Sequence, residues 1–112
     1  MEDHFRVEVR NIEGSIVLAL FGELDLASSP ALEHELQSLA GDRLVIADLR
    51  ELEFIDSTGL SVLVRAHQRA RESGSDFAVV KGPGQVQRLL SLTGVAERLR
   101  TADSPEELLD GS

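Results

Sequence analysis

Cysteine is absent from the 112 residues of this sequence, as are tryptophan and tyrosine, and aromatic residues make up only 4% of it. Without cysteine the chain has no disulfide, no thiolate metal ligand and no cysteine nucleophile, a composition typical of the reducing cytoplasm. We therefore predict a cytoplasmic location. The lack of tyrosine and tryptophan also removes side chains on which nucleic-acid bases commonly stack.

Long apolar runs are missing as well. Ile16–Phe21 is an apolar run of strand length, too short to span a bilayer, so we predict no membrane segment. The charged opening Met1–Arg6 is not followed by the apolar core of a signal peptide. The length is that of one domain, and we predict a single domain over residues 1–112.

Positive charge is scarce in the first half of the chain. The formal net charge is −9, with 13 acids and 4 bases in residues 1–56 and 7 of each in residues 57–112. An acidic protein repels the phosphates of nucleic acids and of anionic lipids, so neither is an expected partner. A protein partner with a basic face fits this charge distribution better, although part of the charge serves solubility alone.

The N-terminal region has the pattern of a β-hairpin. Phe5, Val7 and Val9 alternate with charged residues, which is the period of a strand with one face in water. Residues 11–14 indicate a turn, and Ser15–Phe21 is apolar on both faces, as expected of a more central strand. We predict that the two strands pair antiparallel.

Helix and strand patterns alternate along the rest of the chain. The first predicted helix has its N-cap at Ser29, Pro30 in first position and a stop at Gly41, and a strand, Leu44–Leu49, follows it. A second helix runs from a turn at Ser57 to Gly74 and is followed by a strand, Phe77–Val80. The remaining predicted elements are a short helix over 86–93, a marginal strand near 98–101 and a helix from Ser104 through Leu109, with 110–112 frayed.

A strand, helix, strand passage requires a right-handed crossover between parallel strands. The predicted fold class is therefore α/β: a mixed four- to five-stranded sheet with an N-terminal antiparallel hairpin, parallel crossover strands and about four helices.

A short polar turn, Asp56-Ser57-Thr58-Gly59, separates an apolar run from an amphipathic stretch, so a strand should end and a helix begin there. The first four N–H groups of a helix lack intrahelical acceptors and carry partial positive charge. Ser57 therefore has two interpretations. Its hydroxyl is either the helix cap or an acceptor for a phosphoryl group that the same N–H groups would hold.

Other chemistries find little support in the sequence. A hydrolase that pairs Ser57 with His67 fails on distance, because ten residues along one helix span about 15 Å. His4 and His34 have no metal-ligand spacing with His67. Residues 82–84 lack the Lys-Ser/Thr of a phosphate loop, so they indicate a turn. We predict no enzymatic activity, no cofactor and no metal.

Three segments in this order resemble the STAS domain, and within it the stand-alone bacterial anti-sigma factor antagonists. The three segments are Gly22-Glu-Leu-Asp25, Phe54-Ile-Asp-Ser-Thr-Gly-Leu60 and Val86-Gln-Arg-Leu-Leu-Ser-Leu-Thr-Gly-Val95. Each segment alone is a weak signal, but their order and spacing are more specific. The likeness covers almost the whole chain and implies a STAS-like single domain.

The resemblance implies a phosphorylation-controlled switch. The family's phosphoacceptor directly follows the aspartate, which places it at Ser57, with Thr58 as the second choice. Family positions at the site imply partner binding by Asp25, Asp56, Ser57, Thr58, Gly59 and Leu60. Ser61 departs from the family pattern, since many relatives have glycine there.

In that family the unphosphorylated antagonist binds an anti-sigma factor, which is an ATP-using serine kinase, and so frees a sigma factor. Phosphorylation ends the binding and a separate phosphatase restores it. The resemblance also implies a monomer or weak dimer. The alternative function is a STAS scaffold subunit of a stress-sensing assembly or a lipid-transport complex; the Asp56-Ser57 pair and the lack of a further domain favour the antagonist.

Overall fold

The strands of the computed structural model, which describes residues 5–39 and 43–109, form one mixed sheet. The strands are β1 (Phe5–Ile12), β2 (Ser15–Leu24), β3 (Leu44–Asp48), β4 (Leu52–Ile55), β5 (Asp76–Val80) and β6 (Thr101–Ala102). The helices are α1 (Ser29–Ser38), α2 (Ser57–Ser73), α3 (Gly84–Leu92), α4 (Val95–Arg98) and α5 (Pro105–Leu109).

The strand order is β1-β2-β3-β5-β6, and β4 pairs with the far end of β2. β1 and β2 pair antiparallel, whereas β2–β3, β2–β4, β3–β5 and β5–β6 are parallel. The pairing of β2 shifts register between Gly22 and Glu23, where β4 joins it. The predicted α/β class with a mixed sheet and an N-terminal hairpin is confirmed, with six strands and five helices in the described residues.

The two faces of the sheet are covered unequally. Helices α1 to α4 contribute Leu32, Leu63, Leu90 and other apolar side chains to a large core on one face. The opposite face carries a smaller cluster, to which α5 contributes Leu108. Among the described residues no helix is both long enough and apolar enough to cross a membrane.

The interior strands are apolar because both of their faces are covered. β3 and β5 place residues 45–48 and 77–80 in the interior, as the continuous apolar runs predict. Glu33 of α1 accepts hydrogen bonds from Arg65 and Arg69 of α2 at 3.3 and 2.9 Å, which ties the two helices together. This pairing holds α1 beside the helix that begins at the polar turn.

Several predicted boundaries are wrong by a few residues. The N-cap of α1 is Ser28, not Ser29, and its side chain makes no capping hydrogen bond to the helix. A strand does end at the polar turn, as predicted: β4 lies between β3 and α2, in a stretch to which the predicted element order gave no strand of its own. The predicted strand near 98–101 is present as β6 at Thr101–Ala102, and helix α4, which precedes it and ends at Arg98, was not predicted. The predicted helix stop at Gly41 and the frayed end at 110–112 lie outside the described residues.

Candidate functional site

Asp56, not Ser57, caps helix α2. Asp56 has an extended backbone, and its Oδ1 accepts a hydrogen bond from the Gly59 N–H at 3.0 Å. Its other oxygen, Oδ2, accepts from the Leu26 N–H at 3.2 Å. A carboxylate at this position also interacts favourably with the positive end of the helix dipole. The interpretation of Ser57 as the cap is therefore wrong.

Ser57 is the first residue of α2, and its side chain is exposed. Within residues 5–39 and 43–109, the Ser57 hydroxyl makes no hydrogen bond, and neither do the N–H groups of Ser57 and Thr58. Thr58 also has an unbonded hydroxyl but is only half exposed. The turn thus presents a free hydroxyl beside two free amides at a helix N-terminus, an arrangement that can hold an anion.

Gly59 and Leu60 lie in the interior. A Cβ atom at Gly59 would stand 2.8 Å from Leu24 Cγ, 2.9 Å from Ile55 Cγ1 and 2.9 Å from the Leu24 carbonyl oxygen. The Leu60 side chain is 4% exposed and belongs to the main core. Both residues hold the turn against the core and offer little surface, and partner binding by Gly59 and Leu60 stays a prediction.

Asp25 begins a second turn, residues 25–28, that lies against the first. Asp25 Oδ1 accepts hydrogen bonds from the N–H groups of Ala27 and Ser28 at 3.1 Å each and from the Ser28 hydroxyl at 3.1 Å. The bond from Leu26 N–H to Asp56 joins the two turns. The structure therefore brings together Asp25, Asp56, Ser57 and Thr58, as the sequence predicted.

Leu26 is a surface feature of the site that the sequence analysis missed. Its side chain is 73% exposed, although its backbone is fixed by Asp56. An exposed leucine in an ordered turn is available to an apolar pocket on another protein. The signal was present, because an apolar residue between Asp25 and Ser28, both turn formers, falls outside any strand or helix period.

Ser61 is exposed on the first turn of α2, and its hydroxyl donates to the Ser57 carbonyl oxygen at 3.0 Å. The serine that departs from the family pattern therefore bonds the backbone of Ser57, the candidate acceptor, and leaves the Ser57 side chain free.

Negative charge surrounds this region, since Glu23 and Glu53 are exposed and Asp25 and Asp56 are half-buried. Among the described residues no three His, Cys, Asp or Glu side chains are placed to hold a metal ion.

Comparison with known proteins gives consistent likenesses. The chain is 29% identical to the anti-sigma-F factor antagonist RsfB of Mycobacterium tuberculosis over 97% of this chain and 90% of that protein. It is 30% identical to the anti-sigma-B factor antagonist of Bacillus subtilis over 84% of this chain and 87% of that protein.

Among solved structures, the chain is similar to a crystal structure of an anti-sigma factor antagonist from Mycobacterium paratuberculosis. The TM-score is 0.85 at 25% identity, over 96% of this chain and 92% of that one. The family model of the STAS domain matches residues 6–108, which include both turns of the site and all of the strands except Phe5, the first residue of β1. The chain therefore belongs to the STAS domain family.

Proposed function

We propose that this protein is an anti-sigma factor antagonist whose binding is switched by phosphorylation of Ser57. The unphosphorylated form binds an anti-sigma factor and frees its sigma factor. That anti-sigma factor acts as an ATP-dependent kinase and transfers the γ-phosphoryl group to Ser57, and a phosphatase removes it. The protein itself catalyses nothing and acts in the cytoplasm.

One observation carries the assignment of the site. The Ser57 hydroxyl is exposed and makes no hydrogen bond in the part of the chain that the structure describes, and it stands beside amides that are likewise unbonded there, at the first turn of α2. A phosphate there adds a charge of about −1.5 to −2 and three strong acceptors. The two amides can hold these oxygens, so the fold does not have to change.

The similarity to RsfB and to the Bacillus subtilis antagonist supports the choice of partner. The acidic surroundings support a partner with a basic face and disfavour nucleic acid. The exposed Leu26 adds an apolar contact in the adjoining turn. Asp25 is held within its own turn, so its contribution to binding is mainly to shape that loop.

The switch works by local repulsion and desolvation. A partner surface shaped for the neutral hydroxyl of Ser57 would meet a solvated dianion beside Asp56 and Glu53. Such a mismatch costs on the order of several kcal/mol, and each ~1.4 kcal/mol lowers affinity tenfold. Phosphorylation is therefore sufficient to end binding without a conformational change elsewhere.

The test uses the full chain and the anti-sigma factor from the same organism. We expect Ser57→Ala to bind the anti-sigma factor with unchanged affinity but to gain no phosphoryl group in the presence of ATP, as measured by intact mass. Thr58→Ala is the matched control and should still be phosphorylated. Ser57→Asp should bind at least tenfold more weakly than the wild type, as measured by calorimetry.

Two results would contradict this proposal. If Ser57→Ala is still phosphorylated, the acceptor is a different residue, and Thr58 is the next to test. If the phosphorylated wild type binds the anti-sigma factor with undiminished affinity, phosphorylation does not control binding. If no ATP-binding kinase is retained from the native cell extract and the chain is found in a large complex, the scaffold function is favoured instead.

A further inference from the structure

β1 is the long outer strand of the sheet. It lies at one end of the strand order, while the strand at the other end, β6, has only two residues. β1 pairs with β2 over all eight of its residues without a register shift, and it contains no proline. Proline, a bulge, a short length or charged side chains commonly protect an edge strand from pairing with another chain; β1 has none of the first three, and its charged residues Arg6, Glu8 and Arg10 restrict it to a partner of complementary charge.

The hairpin turn determines which backbone groups of β1 point outward. Glu13 and Gly14 have φ angles of 54° and 87°, the pattern of a two-residue type I′ turn. The closing pair, Ile12 and Ser15, therefore exchanges both of its hydrogen bonds, and such pairs alternate along an antiparallel ladder.

Alternation directs the backbone groups of Arg6, Glu8 and Arg10 toward β2. The outward N–H and C=O groups include those of Val7, Val9 and Asn11. Within the described residues these three have no backbone hydrogen-bond partner. The outer edge of β1 is therefore a ready template for another strand.

The side chains of β1 favour one particular partner strand. Val9 is 47% exposed, although it lies in the middle of the strand. On the other face, Glu8 pairs with Arg6 at 2.9 Å, and Arg10 has no ion pair among the described residues. The strand thus offers a central apolar residue with an acid on one side of it and an unpaired base on the other.

We propose that β1 pairs antiparallel with β1 of a second copy about a two-fold axis at Val9. Val9 then faces Val9 of the second copy, and Glu8 and Arg10 face Arg10 and Glu8 of that copy. Val7 and Asn11 also pair across the axis, giving about six intermolecular hydrogen bonds, two for each narrow pair. The two sheets become one continuous sheet.

Other registers are poorer. An axis at Glu8 places Glu8 opposite itself and Arg6 opposite Arg10, so like charges meet across the strands. An axis at Val7 places Glu8 opposite Arg6, which it already contacts within its own chain, and leaves Arg10 without an acidic partner; the axis at Val9 instead brings Arg10 to Glu8, which Arg6 of the same chain also contacts. The −9 net charge of each copy opposes association in any register, so we expect a weak dimer with micromolar dissociation.

The first test is the oligomeric state of the full chain by sedimentation equilibrium. We expect a dimer whose dissociation constant rises at least tenfold in Val9→Lys, because the lysine ammonium groups meet at the axis. Leu92→Lys is the matched control, since Leu92 is 76% exposed on α3 and away from this edge. A wild type that stays monomeric at millimolar concentration, or a dimer unaffected by Val9→Lys, overturns the proposal.

The second test fixes the register and uses the absence of cysteine from the chain. Val9→Cys should form a disulfide-linked dimer under mild oxidation, because paired Cα atoms lie about 5.5 Å apart. Val7→Cys should not, since the two Val7 Cα atoms would lie about 14 Å apart. Preferential cross-linking of Val7→Cys would overturn the Val9 axis. Neither test involves Ser57 or a kinase, so each result is independent of the proposed function.

Discussion

At Gly59 the backbone of α2 lies directly against the end of β2. The space is closed by side-chain atoms of Leu24 and Ile55 and also by the Leu24 carbonyl oxygen, which belongs to a paired strand and cannot move aside easily. Only a residue without a Cβ fits there, so this glycine is required for close approach and not for an unusual φ angle.

We expect Gly59→Ala to lower the free energy of unfolding by about 1 to 2 kcal/mol. The overlap includes a backbone oxygen and so costs about 2 to 3 kcal/mol, and the better helix propensity of alanine returns about 1 kcal/mol. Chemical denaturation measures the change. Ser61→Ala, exposed in the same helix, is the control and should change stability by less than about 0.5 kcal/mol. Equal stability of the Gly59 variant and the wild type would mean that the contact is not tight.

At the scale of elements, the start of α2 depends on one carboxylate. Asp56 bonds the helix through Gly59 N–H and the neighbouring turn through Leu26 N–H, so it sets both the first turn of the helix and the position of residues 25–28. Ser57, one residue later, supports neither.

Asp56→Ala should therefore lower the free energy of unfolding by about 1 to 2 kcal/mol, through the loss of a cap and of a second hydrogen bond. Ser57→Ala should change it by less than about 0.5 kcal/mol, because the hydroxyl makes no bond within the described residues. Thermal unfolding of the two variants checks the difference. If the serine variant proves the less stable of the two, the cap has been assigned to the wrong residue.

Several element boundaries could not be predicted from the sequence. Asp56 and Ser57 are both good caps, so local preference cannot choose between them, and the choice is made by Leu26 N–H, which is distant in sequence. Ser28 and Ser29 are also both good caps, but here the contacts that accompany the choice are local, since the Ser28 hydroxyl lies within hydrogen-bond distance of the Glu23 carbonyl and the Asp25 carboxylate. β4 has only four residues; the polar turn that follows it was a local signal for its end, but its pairing with the far end of β2 is a long-range contact that the sequence did not show.

The ion pair between Asp48 and Arg50, at the end of β3, is another feature that the sequence alone could not predict. Asp48 is 4% exposed and accepts hydrogen bonds from the Arg50 backbone N–H and from its guanidinium at 2.9 to 3.3 Å. The hydrogen bond to Asp48 raises the pKa of Arg50. The sequence shows an acid in an apolar run but does not show that the arginine two residues later neutralises it.

The whole molecule is organised by unequal coverage of the sheet. The hairpin, the helix and strand alternation and the continuous apolar runs were enough to predict the α/β class, because each is a strong periodic signal. The sequence did not show that α5 would cover the face opposite the other helices. Its five residues are too few for a clear periodicity, and only the packing of Leu108 and Leu109 in the smaller cluster reveals the role.

Leu108→Ala tests that role. Leu108 is 6% exposed and packs with Val17, Ile46 and Ala102, so we expect the free energy of unfolding to fall by about 2 to 3 kcal/mol. Leu92→Ala is the control, because a leucine that is 76% exposed has little packing to lose. Urea unfolding distinguishes the variants, and an unchanged midpoint for Leu108→Ala would mean that α5 contributes little.

The close packing of Gly59 against the core also limits how a kinase can bind the turn that contains Ser57. Many kinases bind their substrates as flexible, extended segments, but this turn cannot become extended unless Leu60 leaves the core. Under the proposed function, the kinase that phosphorylates Ser57 therefore has to recognise a rigid surface formed by residues 25–28 and by the first turn of α2. A free peptide with the sequence of residues 51–62 would lack that surface, so we expect it to be phosphorylated far more slowly than the intact protein.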